Sequence, residues 1–276
     1  MNRTAMFLLC GLLGAGTVVS AAEGIEVVTF KTGAFEVVAD ASPKDMPLAM
    51  FSGAPEEKMK ALAPEGTVKL WRNIFAFSRD GKKILVDTGM GEKDSPFIQT
   101  LSRGGEARHP DVILLTHLHG DHIGGLMDGD VARFPKAKVY LSKPALNSWK
   151  SATGERAQQA QKILKAYDGR IAAFDDGEEV IAGVVAHYAP GHTPGHVVFE
   201  TPDVLFVGDL LHAAAIQFAL PDVCASFDMD KPVAVTQRKA WLKKAAASGK
   251  PIAGCHLPYI GKVTAQGDGF AFEQVK

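Results

Sequence analysis

Of 276 residues, 46% are hydrophobic and 22% charged, a balance that supports one sizeable globular domain with a full core and argues against a disordered chain. Thirty basic residues against thirty-one acidic ones give a net charge of −1, with no basic block to track a phosphate backbone. Nucleic acid is therefore not an expected partner, and a small neutral or weakly charged substrate fits better.

Residues 1–22 are a different material. Arg3 precedes an apolar stretch, Ala5 to Val19, and the small residues Ser20, Ala21 and Ala22 follow, in the order of a charged n-region, an h-region and a cleavage site. The stretch is too short and too broken by glycine for a stable span, and Phe7-Leu8-Leu9 matches a lipoprotein signal ahead of Cys10 poorly. The expectation is a signal peptide over 1–22, export to a bacterial periplasm or medium with no stable membrane anchor after processing, and a mature domain over 23–276. Cleavage removes Cys10 and leaves Cys224 and Cys255. Two cysteines fix neither proximity nor geometry, so their pairing stays open.

From Ile25 to Asp40 two short β-rich runs flank Thr32-Gly33, which predicts a hairpin. A more polar segment follows, Ala41 to Gly66, punctuated by Pro43, Pro47, Pro55 and Pro64, with a short helix at Glu56–Leu62; its place suits a cover over a site. Leu70 to Ser78 and Lys83 to Val86 predict a second strand pair around the turn Arg79-Asp80-Gly81. The run ends in Asp87-Thr88-Gly89, a carboxylate near a sheet edge with glycine beside it for close backbone approach. Taken alone, Asp87 reads as a turn cap.

The apolar run Asp111 to Leu115 then leads into Thr116-His117-Leu118-His119-Gly120-Asp121-His122. In an extended segment His117 and His119 project to one side and can share a cation, while Gly120 permits a turn that brings Asp121 and His122 to a second. Without metal, so many imidazoles in one place would repel on protonation. Lys138 to Leu141 reads as a strand and Gly154 to Tyr167 as an amphipathic helix.

Three further strands end in the same way. Ala182 to Ala186 leads to Pro190-Gly191-His192, Asp203 to Val207 to Gly208-Asp209, and Lys250 to Gly254 to Cys255-His256. His196 begins the next strand and is expected to pack or hydrogen-bond behind the site. The assignment is His117, His119 and His192 on one metal, Asp121, His122 and His256 on the other, and Asp209 between them, with Asp121 and Asp209 at the reaction centre. Two such cations roughly 3.5–4 Å apart hold a bridging water whose pKa falls towards about 7, supplying hydroxide at neutral pH. His/Asp sites accept several divalent ions; zinc is the first expectation, with manganese, iron or cobalt as alternatives. Cys255, next to His256 along a strand, is expected to face away from it. Lys231 to Ala247 predicts a long closing helix.

The pattern His-x-His-x-Asp-His resembles the signature of the metallo-β-lactamase fold superfamily. That resemblance implies an α/β fold, a four-layer αββα sandwich with metals at one edge, and a supporting role for Asp87 behind the metal loop. Di-iron members that handle electrons usually carry Glu where His119 stands, and true β-lactamases lack the bridging Asp that Asp209 supplies, so both branches are disfavoured. The chain is most similar to the methyl parathion hydrolase-like branch, on Gly33-Ala-Phe-Glu-Val37, Gly124-Gly-Leu-Met127, the run from Gly208 through His212 to Phe218, Gln237-Arg-Lys239 and Gly267-Asp-Gly-Phe270.

The branch implies hydrolysis of ester, lactone or aryl phosphotriester bonds, an aromatic substrate pocket to which Phe97, Trp149 and Phe218 are assigned, and a homodimer. A core role for Phe97 or Trp149 stays open. Phosphodiesterase and glyoxalase II-like thioesterase activity are the alternatives within the fold, and a non-catalytic metal-binding protein is the alternative outside enzymes. His212 stands where similar acyl-homoserine lactonases present a tyrosine to the substrate. It is either a proton donor to the substrate or a group that only orients Asp209.

Overall fold

Which face each side chain joins follows from period-two alternation along strands covered on both sides. In the computed structural model, which describes residues 17–22, 25–30, 33–103 and 107–275, Ile74 and Ala76 pack towards helices while Phe75 and Phe77 pack towards a second sheet. Residues 1–16 of the predicted leader and Thr32 of the predicted turn lie outside the described residues.

The first sheet has eight strands in chain order: β1 (Thr17–Ala22), β2 (Ile25–Phe30), β3 (Gly33–Pro47), β4 (Thr67–Arg79), β5 (Lys82–Val86), β6 (Val112–Leu114), β7 (Lys138–Ser142) and β8 (Ile171–Phe174). The second has seven, also in order: β9 (Glu179–Ile181), β10 (Val184–Tyr188), β11 (Val197–Glu200), β12 (Leu205–Gly208), β13 (Ile252–Gly254), β14 (Ile260–Gln266) and β15 (Gly269–Gln274). Strands β5 to β8 run parallel, as do β12 and β13. β1 covers the last residues of the predicted leader, so cleavage before Glu23 would remove this edge strand.

The helices are α1 (Glu56–Leu62), α2 (Pro96–Arg103), α3 (Gly120–Ile123), α4 (Lys143–Ser151), α5 (Glu155–Ala166), α6 (Ala214–Gln217) and α7 (Lys231–Ser248). Three cores define four layers. Phe97, Trp149, Ala160 and Ile163 of α2, α4 and α5 pack on Ile74, Leu85 and Ile113. Phe35, Phe77, Phe199 and Phe206 fill the space between the sheets, with Phe77 and Phe206 stacked at 5.6 Å. Trp241, Leu242 and Ala245 of α7 cover Val198, Leu205 and Ile252. This is the αββα sandwich.

Local chemistry sets the helix ends. Asp230 caps α7 by accepting from the Val233 amide at 3.2 Å, and Gly249, at φ 68°, closes it. Ser142 caps α4 and also donates to the Gly195 carbonyl at 2.6 Å, tying that helix to the loop of His192.

Several elements go beyond the sequence-based expectation. β3 continues to Pro47 through two register shifts, between Ala39 and Ala41 and between Ala41 and Lys44, where bulges accommodate a proline-bearing segment read as irregular. Helices α2 and α4 and the closing hairpin β14–β15 are additional. Among the described residues no helix is long and apolar enough to cross a membrane.

Candidate metal centre

The ligand loops leave the C-terminal ends of β5, β6, β10, β12 and β13, so the ends of both sheets converge on one edge. After β6 the chain stays extended through His119, at φ −74° and ψ 155°, then makes the single turn α3 that swings Asp121 and His122 round. Gly124 and Gly125 let this loop press on another backbone: a Cβ at Gly125 would lie 2.0 Å from the Thr88 carbonyl oxygen, and one at Gly124 2.1 Å from that of Met90. The Thr88 amide donates to the His122 carbonyl at 2.8 Å across the same contact.

Two clusters result. His117, His119, His192 and Asp209 form the first; Asp121, His122, Cys255 and His256 form the second, and within each cluster one donor atom per residue lies within 4.8 Å of the others. His192 Nε2 sits 3.2 Å from His117 Nε2 and 2.9 Å from His119 Nδ1. Asp209 spans the two. Its Oδ1 is 3.1 Å from His122 Nε2, while its Oδ2 is 3.2 Å from His192 Nε2 and 3.1 Å from His256 Nε2.

These groups fit divalent cations. His122 Nε2 and Asp209 Oδ1 are buried without a hydrogen-bond partner, and the three ring nitrogens of the first cluster face one another closely enough that their lone pairs need a shared acceptor. Burial, and then the neighbouring His192, push His119 down to about 3. Burial and His122 likewise hold His117 well below the usual imidazole range, so both rings are neutral donors. Burial alone would raise Asp209, but His122 and His256 outweigh it and hold the carboxyl well below its usual range.

The far side of each ring is held as well. His122 Nδ1 donates to Asp87 at 2.7 Å, and Asp87 also accepts from the Thr116 amide and hydroxyl at 2.8 Å each. His192 Nδ1 donates to Asp228 at 2.9 Å, and His256 Nδ1 to the Trp71 carbonyl at 2.7 Å. Such partners fix the tautomer, aim Nε2 inward and raise ligand basicity. His196 lies behind the site, accepting the Asp209 amide at 3.0 Å on Nε2.

A family model described as the metallo-beta-lactamase superfamily matches residues 72–256, which is most of the chain. The chain belongs to that superfamily. In fold it is similar to AidC, a dizinc quorum-quenching lactonase solved in complex with a product, at a TM-score of 0.82 and 26% identity over 91% of this chain and 97% of that one. It is also similar to the hydrolase AbOPH, at a TM-score of 0.78 and 24% identity over 96% of this chain and 99% of the other. Among curated proteins, a hydroxyacylglutathione hydrolase of Serratia proteamaculans is 32% identical over 50% of this chain and 45% of its own length. An atrochrysone carboxyl ACP thioesterase of Pseudocercospora fijiensis is 35% identical over 50% and 36%. The match thus spans less than half the length of these curated relatives.

In this member of the superfamily a cavity of about 380 Å³ opens over the metal centre, with His119, Asp121, His192, Asp209 and His256 at its floor. Met46, Leu70, Met90 and Phe227 form an apolar wall, and Arg156 and Gln159 of α5 a polar one. The three aromatic residues assigned to a pocket lie elsewhere. Phe97, on the inward face of α2, is fully buried beneath Gly125. Trp149 stands edge-on behind His119 at 5.9 Å between ring centroids. Phe218 stacks on Phe272 of the closing hairpin at 4.9 Å. In each case the apolar ring is covered by the packing of its own element.

His212 is also covered, at 0% exposure, with Nε2 3.3 Å from Asp209 Oδ2, its backbone amide donating to Gln217 and its ring edge-on to Phe227. It touches Asp209 and is not among the residues lining the cavity; its Nδ1 is buried without a hydrogen-bond partner, and one of its ring nitrogens lies within 4.8 Å of donor atoms of Asp209 and His256. Cys224 and Cys255 are both free and buried. Cys255 does not face away from His256, because β13 ends at Gly254 and both residues lie in the turn after it, where strand alternation no longer applies.

Asp228 and Phe227 carry no local signal. Asp228 meets His192 from 36 positions away. It also binds the fully buried Arg238 at 3.4 Å, whose guanidinium donates to the carbonyls of Leu210, Pro221 and Val223.

Proposed function

We propose that this protein is a binuclear metal-dependent hydrolase of neutral esters, lactones or aryl phosphotriesters. The observation that carries the reading is Asp209, whose two oxygens face the two clusters at the floor of a cavity with one apolar and one polar wall. Bound divalent ions supply a Lewis acid and a water that ionises near neutral pH. The protein's own part is placement. His117, His119 and His192 would hold one ion, Asp121, His122 and His256 the other, with Asp209 placed to serve both. Met46, Leu70, Met90 and Phe227 take the acyl or aryl portion out of water, which strengthens electrostatic interactions at the scissile bond. Similarity to a dizinc lactonase along nearly its whole length supports the lactone member of this class.

A second reading is a thioesterase, favoured by the similarity to a hydroxyacylglutathione hydrolase and by Arg156 at the cavity wall, a cation suited to an anionic thiol portion. Metal analysis and a hydrolysis panel separate the two. The panel spans aryl esters, acyl-homoserine lactones, phosphotriesters, phosphodiesters, glutathione thioesters and β-lactams. The expected result is about two ions per chain, dominant ester, lactone or phosphotriester turnover, and loss of both turnover and one ion in Asp209→Ala. Dominant thioester turnover selects the second reading, and two ions with no turnover on any substrate makes the protein a metal binder. Export is part of the proposal. Intact mass of protein from its native host should correspond to a chain starting near Ala22 or Glu23, and a full-length species would refute it.

A further inference from the structure

Cys255 belongs to the second cluster, and the hydrolytic reading leaves it unused. It is buried, and its sulfur lies within 4.8 Å of a carboxylate oxygen of Asp121 and of one ring nitrogen each of His122 and His256. The turn after Gly254 brings it there, since Cys255 and His256 follow the end of β13 and present their side chains to the same place. His122 Nε2, on a fully buried ring, has no hydrogen-bond partner. The opposite nitrogens of the two rings are already committed, His122 to Asp87 and His256 to the Trp71 carbonyl. Cys224 differs: its sulfur donates to the Lys231 carbonyl at 3.5 Å and accepts from Arg238 at 3.8 Å, outside either cluster.

We propose that Cys255 is a sulfur ligand to the ion held by Asp121, His122 and His256, making that position a mixed sulfur, nitrogen and oxygen site beside one built from nitrogen and oxygen alone. Binding replaces the S–H bond with a sulfur–metal bond and releases one proton to solvent, with no change of oxidation state. Two consequences follow from ligand chemistry. A thiolate selects zinc over manganese or magnesium, so this position discriminates among ions that an all His/Asp site would accept. Four protein donors before Asp209 is counted, against three for the ion of His117, His119 and His192, would also make this the more saturated of the two positions.

The proposal rests on the binuclear reading, and the test separates the two. X-ray absorption of the zinc-loaded full chain should show a sulfur scatterer at about 2.3 Å beside nitrogen and oxygen at about 2.0–2.1 Å. Cobalt substitution should add a sulfur-to-metal charge-transfer band in the near ultraviolet. Both signals should vanish in Cys255→Ser and persist in Cys224→Ser. In Cys255→Ser one of the two zinc ions should also bind more weakly by at least the roughly 10–100-fold that loss of an outer partner costs. Two ions per chain with a shell of nitrogen and oxygen only in the wild-type protein would overturn the sulfur ligand and leave the binuclear reading standing. A sulfur signal that survives Cys255→Ser would overturn it as well, and fewer than two ions per chain would overturn both. If Cys255→Ser does not fold, a wild-type sulfur signal that persists in Cys224→Ser supports the ligand, and one that is lost in Cys224→Ser overturns it.

Discussion

Asp228→Ala should damage both the stability and the metal affinity of this protein, and the two losses have separate causes. The carboxylate joins His192 Nδ1 at 2.9 Å to the buried Arg238 at 3.4 Å. Burial would raise its pKa, but His192, His212 and Arg238 outweigh that and hold it at about 2, so it is charged throughout the working range. Among the described residues no other carboxylate pairs with Arg238. Removing it leaves a buried guanidinium without its counter-charge, which costs about 3–5 kcal/mol. For a chain of this size that lowers the melting temperature of the metal-free protein by roughly 6–20 °C. Freed from Asp228, the His192 ring loses its fixed tautomer, and affinity for the ion of the first cluster should fall roughly 10–100-fold. Asp228→Asn keeps an acceptor for Nδ1 and should recover most of the affinity while remaining destabilised. Thermal melts of the metal-free protein and competition with a chelator read the two effects independently. An Asp228→Ala protein that is destabilised but binds both ions as tightly as the wild type would show that Asp228 serves only Arg238.

Three other outcomes follow from local geometry. Gly125→Ala places a methyl 2.0 Å from the Thr88 carbonyl oxygen, so the metal loop must shift; about 1–3 kcal/mol or more of stability should be lost, with reduced metal content by elemental analysis. Glu200, bound to Lys250 and Lys244 at 2.6 Å each, is held at about 2 because the two ammonium groups outweigh the effect of burial. A carboxyl depressed from 4.5 adds stability that is complete above the unfolded value and lost as pH falls towards about 2. With solvent screening this is worth about 1 kcal/mol. Urea titrations should therefore find Glu200→Gln weaker than wild type at pH 7 and equal to it near pH 2, and a constant difference would refute the assignment. His212→Ala should slow nitrophenyl and alkyl esters by the same factor and loosen one ion; a loss confined to poor leaving groups would restore His212 to a proton-donating role.

The metal loop was readable because its donors are contiguous and because each remaining ligand follows an apolar strand, a pattern that survives without knowledge of the third dimension. The two-sided strands were readable for the same reason: Ile74 to Phe77 and Ile84 to Val86 are apolar on both faces, as a strand between two layers must be. Direction is not legible where regularity stops. The register shifts at Ala41 break the period of two, so the pattern does not carry β3 on to Pro47, and alternation ends at Gly254, one residue before Cys255. The aromatic residues are ambiguous for a different reason. A large ring is stabilised by burial of about 150–250 Å² wherever it packs, so Phe97 and Phe218 satisfy the same chemistry in a core as in a pocket. The actual wall is assembled from Met46, Leu70, Met90, Arg156, Gln159 and Phe227, brought together from β3, β4, α5 and the loops after β5 and α6. No spacing rule links those segments, because the cavity is defined by how the layers end and not by any one of them. The cavity wall is thus made of residues that only the folded chain brings together, while the candidate ligands sit where the strand ends bring them.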